Sequence, residues 1–177
     1  MNWFTSDSHF NHFAIIGHTC RPFWRWQDMN SEMIKRWNLR VKPGHNVFIV
    51  GDFKFGSNGP NVHELCQQLN GNKIFIRGNH DKNNGLNTIL EYAIIKTYGK
   101  VIVLAHKPED ALMHMESGGI DMAFVGHVHH NWKFKKNMVN VGVDVWDFYP
   151  VDAKQILKAY RNWKMGKDVK WPKRGEA

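Results

Sequence analysis

Eight residues in the chain carry side chains that bind metals or move protons and share one kind of setting: Asp7, His9, Asp52, Asn79, His80, His106, His127 and His129. Each lies at or just beyond the end of a short apolar run. Trp3-Phe4-Thr5-Ser6 leads into Asp7, and Asn46-Val47-Phe48-Ile49-Val50 leads into Gly51-Asp52. Lys73-Ile74-Phe75-Ile76-Arg77 leads into Gly78-Asn79-His80-Asp81, Val101-Ile102-Val103-Leu104-Ala105 into His106, and Met122-Ala123-Phe124-Val125 into Gly126-His127. Runs of this length and β-branched content, closed by Gly and polar residues, read as buried strands. Five strands therefore bring an imidazole, a carboxylate or an amide to one edge, and in open α/β sheets ligands gather beyond the carboxyl ends of strands. Carboxylates buried there cost several kcal/mol unless paired, a cost that a metal centre removes. Oxygen and imidazole donors without thiolate suit manganese, iron or zinc; magnesium seldom takes several histidines. Two divalent cations set against Asp7 and Asp52 leave positive charge, which matches a phosphate ester and acidifies bound water.

Helical patterns separate several of these strands. Met29 to Val41 places Met33, Ile34, Trp37 and Val41 on one face, with Asn30 or Ser31 as the expected cap. Pro60 to Asn70 does the same with Val62, Leu65, Cys66 and Leu69, and Asn70-Gly71 stops it. Shorter patterns cover Asp110 to Glu116, stopped by Gly118-Gly119, and about Asp152 to Trp163. Strand-helix alternation predicts an α/β domain. Lys133 to Val143 reads as antiparallel pairing around a Lys135-Lys136-Asn137 turn.

With 177 residues, 42% of them hydrophobic, the chain suits a single domain, expected over residues 1–163 and followed by a basic tail over 164–177. The net charge is +8, and the tail contributes Lys164, Lys167, Lys170, Lys173 and Arg174 against Asp168 and Glu176. A solvated tail is the expected reading, with nucleic-acid contact as the alternative. The chain has no apolar run of about 18 residues and no basic-then-apolar start, so neither a membrane span nor a secretory signal is expected. Cys20 and Cys66 form no framework, which suits a cytoplasmic protein.

In order and kind, Asp7-Ser8-His9, Gly51-Asp52, Gly78-Asn79-His80-Asp81, Ala105-His106 and Gly126-His127-Val128-His129 resemble the motifs of calcineurin-like metallophosphoesterases. Asp7-Ser8-His9-Phe10-Asn11-His12, Arg21-Pro22-Phe23 and Asn140-Val141-Gly142-Val143-Asp144 resemble its small bacterial and phage-borne branch. The resemblance implies an α/β fold: two mixed β-sheets packed face to face as a sandwich flanked by helices, in four αββα layers. It implies two divalent transition metal ions, manganese foremost and iron or zinc otherwise. Asp7, His9 and His129 would hold one ion, Asn79, His106 and His127 the other, and Asp52 would bridge them. A hydroxide bridging the metals would attack phosphorus in a phosphate ester, with phosphodiesters favoured over monoesters. Asn79 and His80 would contact the phosphoryl group. His80 would also protonate the leaving oxygen, and Asp81 would either orient the His80 ring or serve as a turn residue. A nuclease acting on nucleic acid, a nucleotide as substrate, and a non-catalytic scaffold are the other readings.

Several residues carry weaker expectations. Lys54 departs from the family pattern and is expected to point outward; aimed inward it would add a cation to the site. His12 would either reach the rim of the site or cap the helix that follows. Arg21 is a candidate phosphate ligand. The segment Arg21-Pro22-Phe23-Trp24-Arg25-Trp26 reads either as a nucleotide surface or as an aromatic loop tucked in with Arg stacked on Trp. His114 and His130 read as surface or helix-face residues, and His130, next to His129, could also support that ligand.

Overall fold

In the computed structural model, residues 1–167 are described, and their strands alternate side chains between two different cores. The first sheet has the order β3-β2-β1-β9, built from β1 (Asn2–Thr5), β2 (Asn46–Val50), β3 (Asn72–Ile76) and β9 (Val151–Asp152). Its first three strands are parallel, and β9 runs antiparallel to β1. The second sheet has the order β4-β5-β6-β8-β7, built from β4 (Tyr92–Thr97), β5 (Lys100–Ala105), β6 (Met122–Val125), β7 (Phe134–Lys135) and β8 (Met138–Asn140). Here β5, β6 and β8 are parallel, with antiparallel β4 and β7 at the edges.

Period-two alternation sets the layers. Trp3, Val47 and Ile49 face a core shared with α1 (Phe13–His18), α2 (Trp26–Arg40) and α3 (Val62–Gln68) through Ile15, Met29, Met33, Trp37 and Leu65. Their neighbours Phe4 and Val50 face the other way, against Ile102, Leu104 and Phe124 of the second sheet. The Phe4 and Phe124 rings meet edge to face at 5.0 Å across this interface. Burying each such ring stabilises the fold by about 1.5–3 kcal/mol. Val103, Ala105, Ala123 and Val125 face outward against Ala111 of α4 (Pro108–Glu116), and the small alanines let that helix lie close. Ala153 and Ile156 of α5 (Ala153–Lys164) join the inter-sheet core. The layers are thus helices, sheet, sheet and helix, as expected.

Local signals explain where α3 and α5 begin. Asn61 and Glu64 form a reciprocal capping box on α3, and Asp152 and Gln155 form one on α5. The expected cap of α2 is corrected: the helix starts at Trp26, and Asn30 lies inside it, exchanging hydrogen bonds with Asn11. The strand β4 and the two-residue β9 extend the sheets beyond the predicted strands. α5 ends at Lys164, and the basic tail from residue 168 onward lies outside the described residues. No helix among the described residues is long and apolar enough to cross a membrane.

Candidate metal centre

The parallel strands of both sheets end at one edge, and their loops are tied together there before any side chain is considered. The N–H of Asp7 donates to Gly51 O at 3.1 Å, that of His9 to Asp52 O at 3.0 Å, and that of Phe10 to Phe53 O at 3.0 Å. From the second sheet, Val143 N–H donates to Ser6 O at 3.0 Å, and His127 N–H donates to the Asp7 carboxylate at 3.0 Å. The chain turns sharply to do this. Asp7, His9, Asp52, His127 and His129 all have positive φ, between 46° and 69°. Each such non-glycine conformation costs on the order of 1 kcal/mol or more, and such strain gathers at functional sites. Two glycines let the loops approach. A Cβ on Gly78 would collide with Asp52, and one on Gly126 would collide with Ser6 and Asp7.

The side chains then converge. Asp52 Oδ2 lies 3.5 Å from His9 Nε2 and 3.3 Å from His106 Nε2, while Asp52 Oδ1 accepts from the His80 N–H at 2.9 Å. Asn79 Oδ1 stands 3.1 Å from His106 Nε2. Two groups have ligand atoms within 4.8 Å of one another, Asp7 with His9 and His129, and Asp7 with Asp52 and His106. His127 stands beside the second group, its ring centroid 5.2 Å from that of His106.

These residues fit divalent cations. Both ring nitrogens of His9 are buried and lack a hydrogen-bond partner among the described residues. His106 Nδ1 donates to Val50 O at 2.9 Å, so its Nε2 faces the oxygens of Asn79 and Asp52. Set against two oxygens, that nitrogen needs either a proton or a metal cation beside it. The protonation balance says the same. Burial pushes the His106 imidazole down, but its hydrogen bond to Asp52 and the charges of Asp7 and Asp52 outweigh this and raise it to about 9. Burial raises Asp7, and burial drives His9 well below the usual histidine range. A proton is held where carboxylates and imidazoles would otherwise hold a metal.

A chain of contacts runs behind the ligands. His129 Nδ1 donates to Asp144 Oδ2 at 3.0 Å, which turns Nε2 toward the centre. Asp144 is forked by Arg21, through Nε at 2.9 Å and Nη2 at 3.1 Å, and Arg21 also donates to Asp7 O at 2.7 Å and Ser8 O at 2.9 Å. Burial works to raise Asp144, but Arg21 and His129 hold it well below the usual carboxylate range. Asn140 fixes the His129 loop by donating to His129 O at 2.6 Å and Trp132 O at 2.8 Å. Sequence reasoning passed over Asn140 and Asp144 as individual residues. Their signal was their place just beyond a strand in the segment shared with the small branch.

Two expectations, for Arg21 and Lys54, are revised by this arrangement, and the alternatives open for Asp81 and His12 are narrowed. Arg21 is not a phosphate ligand, because its buried guanidinium is engaged by Asp144 and two backbone carbonyls. Asp81 does not orient the His80 ring. Its fully buried carboxylate accepts from the N–H groups of Asp52, Phe53 and Gly78 at 2.7–3.0 Å, which is the turn role. Lys54 does not point to solvent: it is only 6% exposed, and its Nζ donates to the Gly56 carbonyl. His12 sits at the N-terminus of α1 without capping it, and stacks on Phe55 at 3.9 Å beside His9. Phe55 also meets the His80 ring at 5.4 Å, so it supports two histidines at the rim. In the Arg21–Trp26 segment, Trp24 is 92% exposed and Arg25 pairs with Asp28, so Arg does not stack on Trp there. His130 is exposed, whereas His114 is half-buried against Tyr92.

No family model matches the chain. The uncharacterised protein MJ1445 of Methanocaldococcus jannaschii is 34% identical over 172 residues, spanning 93% of each chain. Among solved structures, AQ665 of Aquifex aeolicus, a protein of unknown function, superposes with a TM-score of 0.72 at 26% identity, over 89% of this chain and 98% of its own. An archaeal phosphodiesterase shares the fold at a TM-score of 0.50 and 17% identity, over 87% of this chain and 94% of its own. The chain and MJ1445, matched over nearly their whole lengths, thus belong to one family, which has the two-sheet fold of the archaeal phosphodiesterase and motifs that resemble, in order, those of calcineurin-like metallophosphoesterases.

Proposed function

We propose that the chain is a metal-dependent phosphoesterase that hydrolyses phosphodiesters in preference to monoesters. The centre would hold two divalent cations, manganese foremost and iron or zinc otherwise. The carrying observation is Asp52 Oδ2, which stands between His9 Nε2 at 3.5 Å and His106 Nε2 at 3.3 Å, one histidine from each ligand set. Asp7, His9 and His129 would hold one cation, Asn79, His106 and His127 the other, and Asp52 would be shared. When bound, such a pair supplies Lewis acidity at the phosphoryl oxygens and lowers the pKa of the water that attacks phosphorus.

The chain supplies the rest. Asp7, His9, Asp52 and His106 are buried, whereas Asn79, His80 and His127 are exposed, so the phosphoryl group enters from the latter side. A mouth open on that side leaves room for substituents on two ester oxygens. The backbone of His80 is anchored to Asp52 Oδ1, and its ring stands at the rim, 5.7 Å from the His9 ring. From there it donates a proton to the leaving oxygen, a step typically worth about 10²–10⁴-fold. An exposed Cys20 and a half-buried Cys66, both unpaired, suit a reducing cytoplasm.

Turnover of a chromogenic phosphodiester by metal-stripped protein refilled with manganese tests this reading. Activity that returns with the metal supports it. No turnover with manganese, iron or zinc contradicts it.

A further inference from the structure

Beside the metal centre lies an open cleft of about 400 Å³, whose wall includes Gly78, Asn79 and His106. The cleft is therefore continuous with the ligands of one cation, and its size lies within the range of small-molecule sites. Its far wall is built from two elements. Tyr92 opens the edge strand β4, and Met113 and His114 lie on α4. The Tyr92 and His114 rings pack at 3.9 Å with 33° between their planes. Tyr92 nevertheless remains 43% exposed and Met113 69% exposed. An apolar ring wall left open this close to a reaction centre is a place for a flat group.

The remaining lining is polar and of both signs. Arg77 and Glu91 pair at 2.8 Å, and Lys107 and Asp110 come from the start of α4. A lipid chain would cover these groups without hydrogen bonding to them. A bare sugar would meet the ring wall only through its C–H groups, with less apolar contact than a flat base. A nucleobase has a π-face for Tyr92 and Met113, and both donors and acceptors on its edge for the charged groups.

Resting on the phosphoesterase reading, we propose that this cleft is a nucleoside subsite. The ester substituent on the Asn79–His106 side would be a nucleoside whose base lies against Tyr92, Met113 and His114.

The test separates the subsite from the reaction. Calorimetry on the manganese-loaded full chain compares adenosine 5′-monophosphate with ribose 5-phosphate, which differ only in the base. The nucleotide is expected to bind about tenfold or more tightly, as one stacked base contributes about 1–3 kcal/mol. Tyr92→Ala should remove most of that ratio, and Met113→Ala on the other element should reduce it independently. Equal affinities in the wild type, no measurable binding of either compound, or a ratio that neither variant changes overturns the subsite. If the ratio holds but the refilled protein turns over no phosphodiester, the subsite stands and the phosphoesterase reading fails.

Discussion

His129 Nδ1 donates to Asp144 Oδ2 at 3.0 Å, and the same carboxylate is forked by Arg21, so a ligand histidine is oriented by an acid 15 residues further along the chain. Asp144→Asn keeps the size of the side chain but loses the charge that favours the Nδ1–H tautomer. Manganese affinity is expected to fall about 10–100-fold, the usual cost of removing such a support. A manganese titration with unchanged affinity would remove Asp144 from the metal centre.

Arg21 is predicted to matter for folding. Arg21→Met leaves Asp144 buried without its cation, and breaking a buried pair in this way costs about 3–5 kcal/mol. Urea unfolding of the metal-stripped protein measures this. A variant of wild-type stability with only a raised KM would instead make Arg21 a substrate ligand.

Asp81 joins the loops after β2 and β3 by accepting three backbone N–H groups. Asp81→Ala leaves those buried donors unsatisfied, at about 1–3 kcal/mol each. Loss of stability should therefore appear in metal-free protein, before any effect on turnover. Equal stability with slowed turnover would return Asp81 to the catalytic group.

His80 should behave in the opposite way. His80→Ala removes an exposed ring and keeps the backbone bond to Asp52, so metal content and stability should hold while turnover falls about 10²-fold or more. An unchanged rate would exclude His80 from proton transfer.

These contrasts mark what the sequence could show. The strands leading to Asp7, Asp52, Asn79, His106 and His127 were legible because buried runs of β-branched residues ended in residues too polar to be buried alone. Capping boxes at Asn61–Glu64 and Asp152–Gln155 are equally local. Arg21 was misread because its partner lies 123 residues away, and composition near Arg21 carries no trace of Asp144. Lys54 was misread because a lysine that satisfies a nearby carbonyl looks in sequence like any solvated lysine. The strand β4 escaped because its outward-facing set includes Tyr92 and Ile94, so an edge strand whose burial alternates regularly shows no alternation of apolar and polar residues in sequence. Tyr92 and His114 meet only once β4 and α4 are in place.

The central claim is that Asp52 is shared between two cations. Elemental analysis of manganese-refilled wild type and Asp52→Asn, with chromogenic phosphodiester turnover on the same samples, tests it most directly. Two manganese ions per wild-type chain, with loss of most metal and of activity in the variant, is the predicted result. Full occupancy and normal turnover in Asp52→Asn would contradict it.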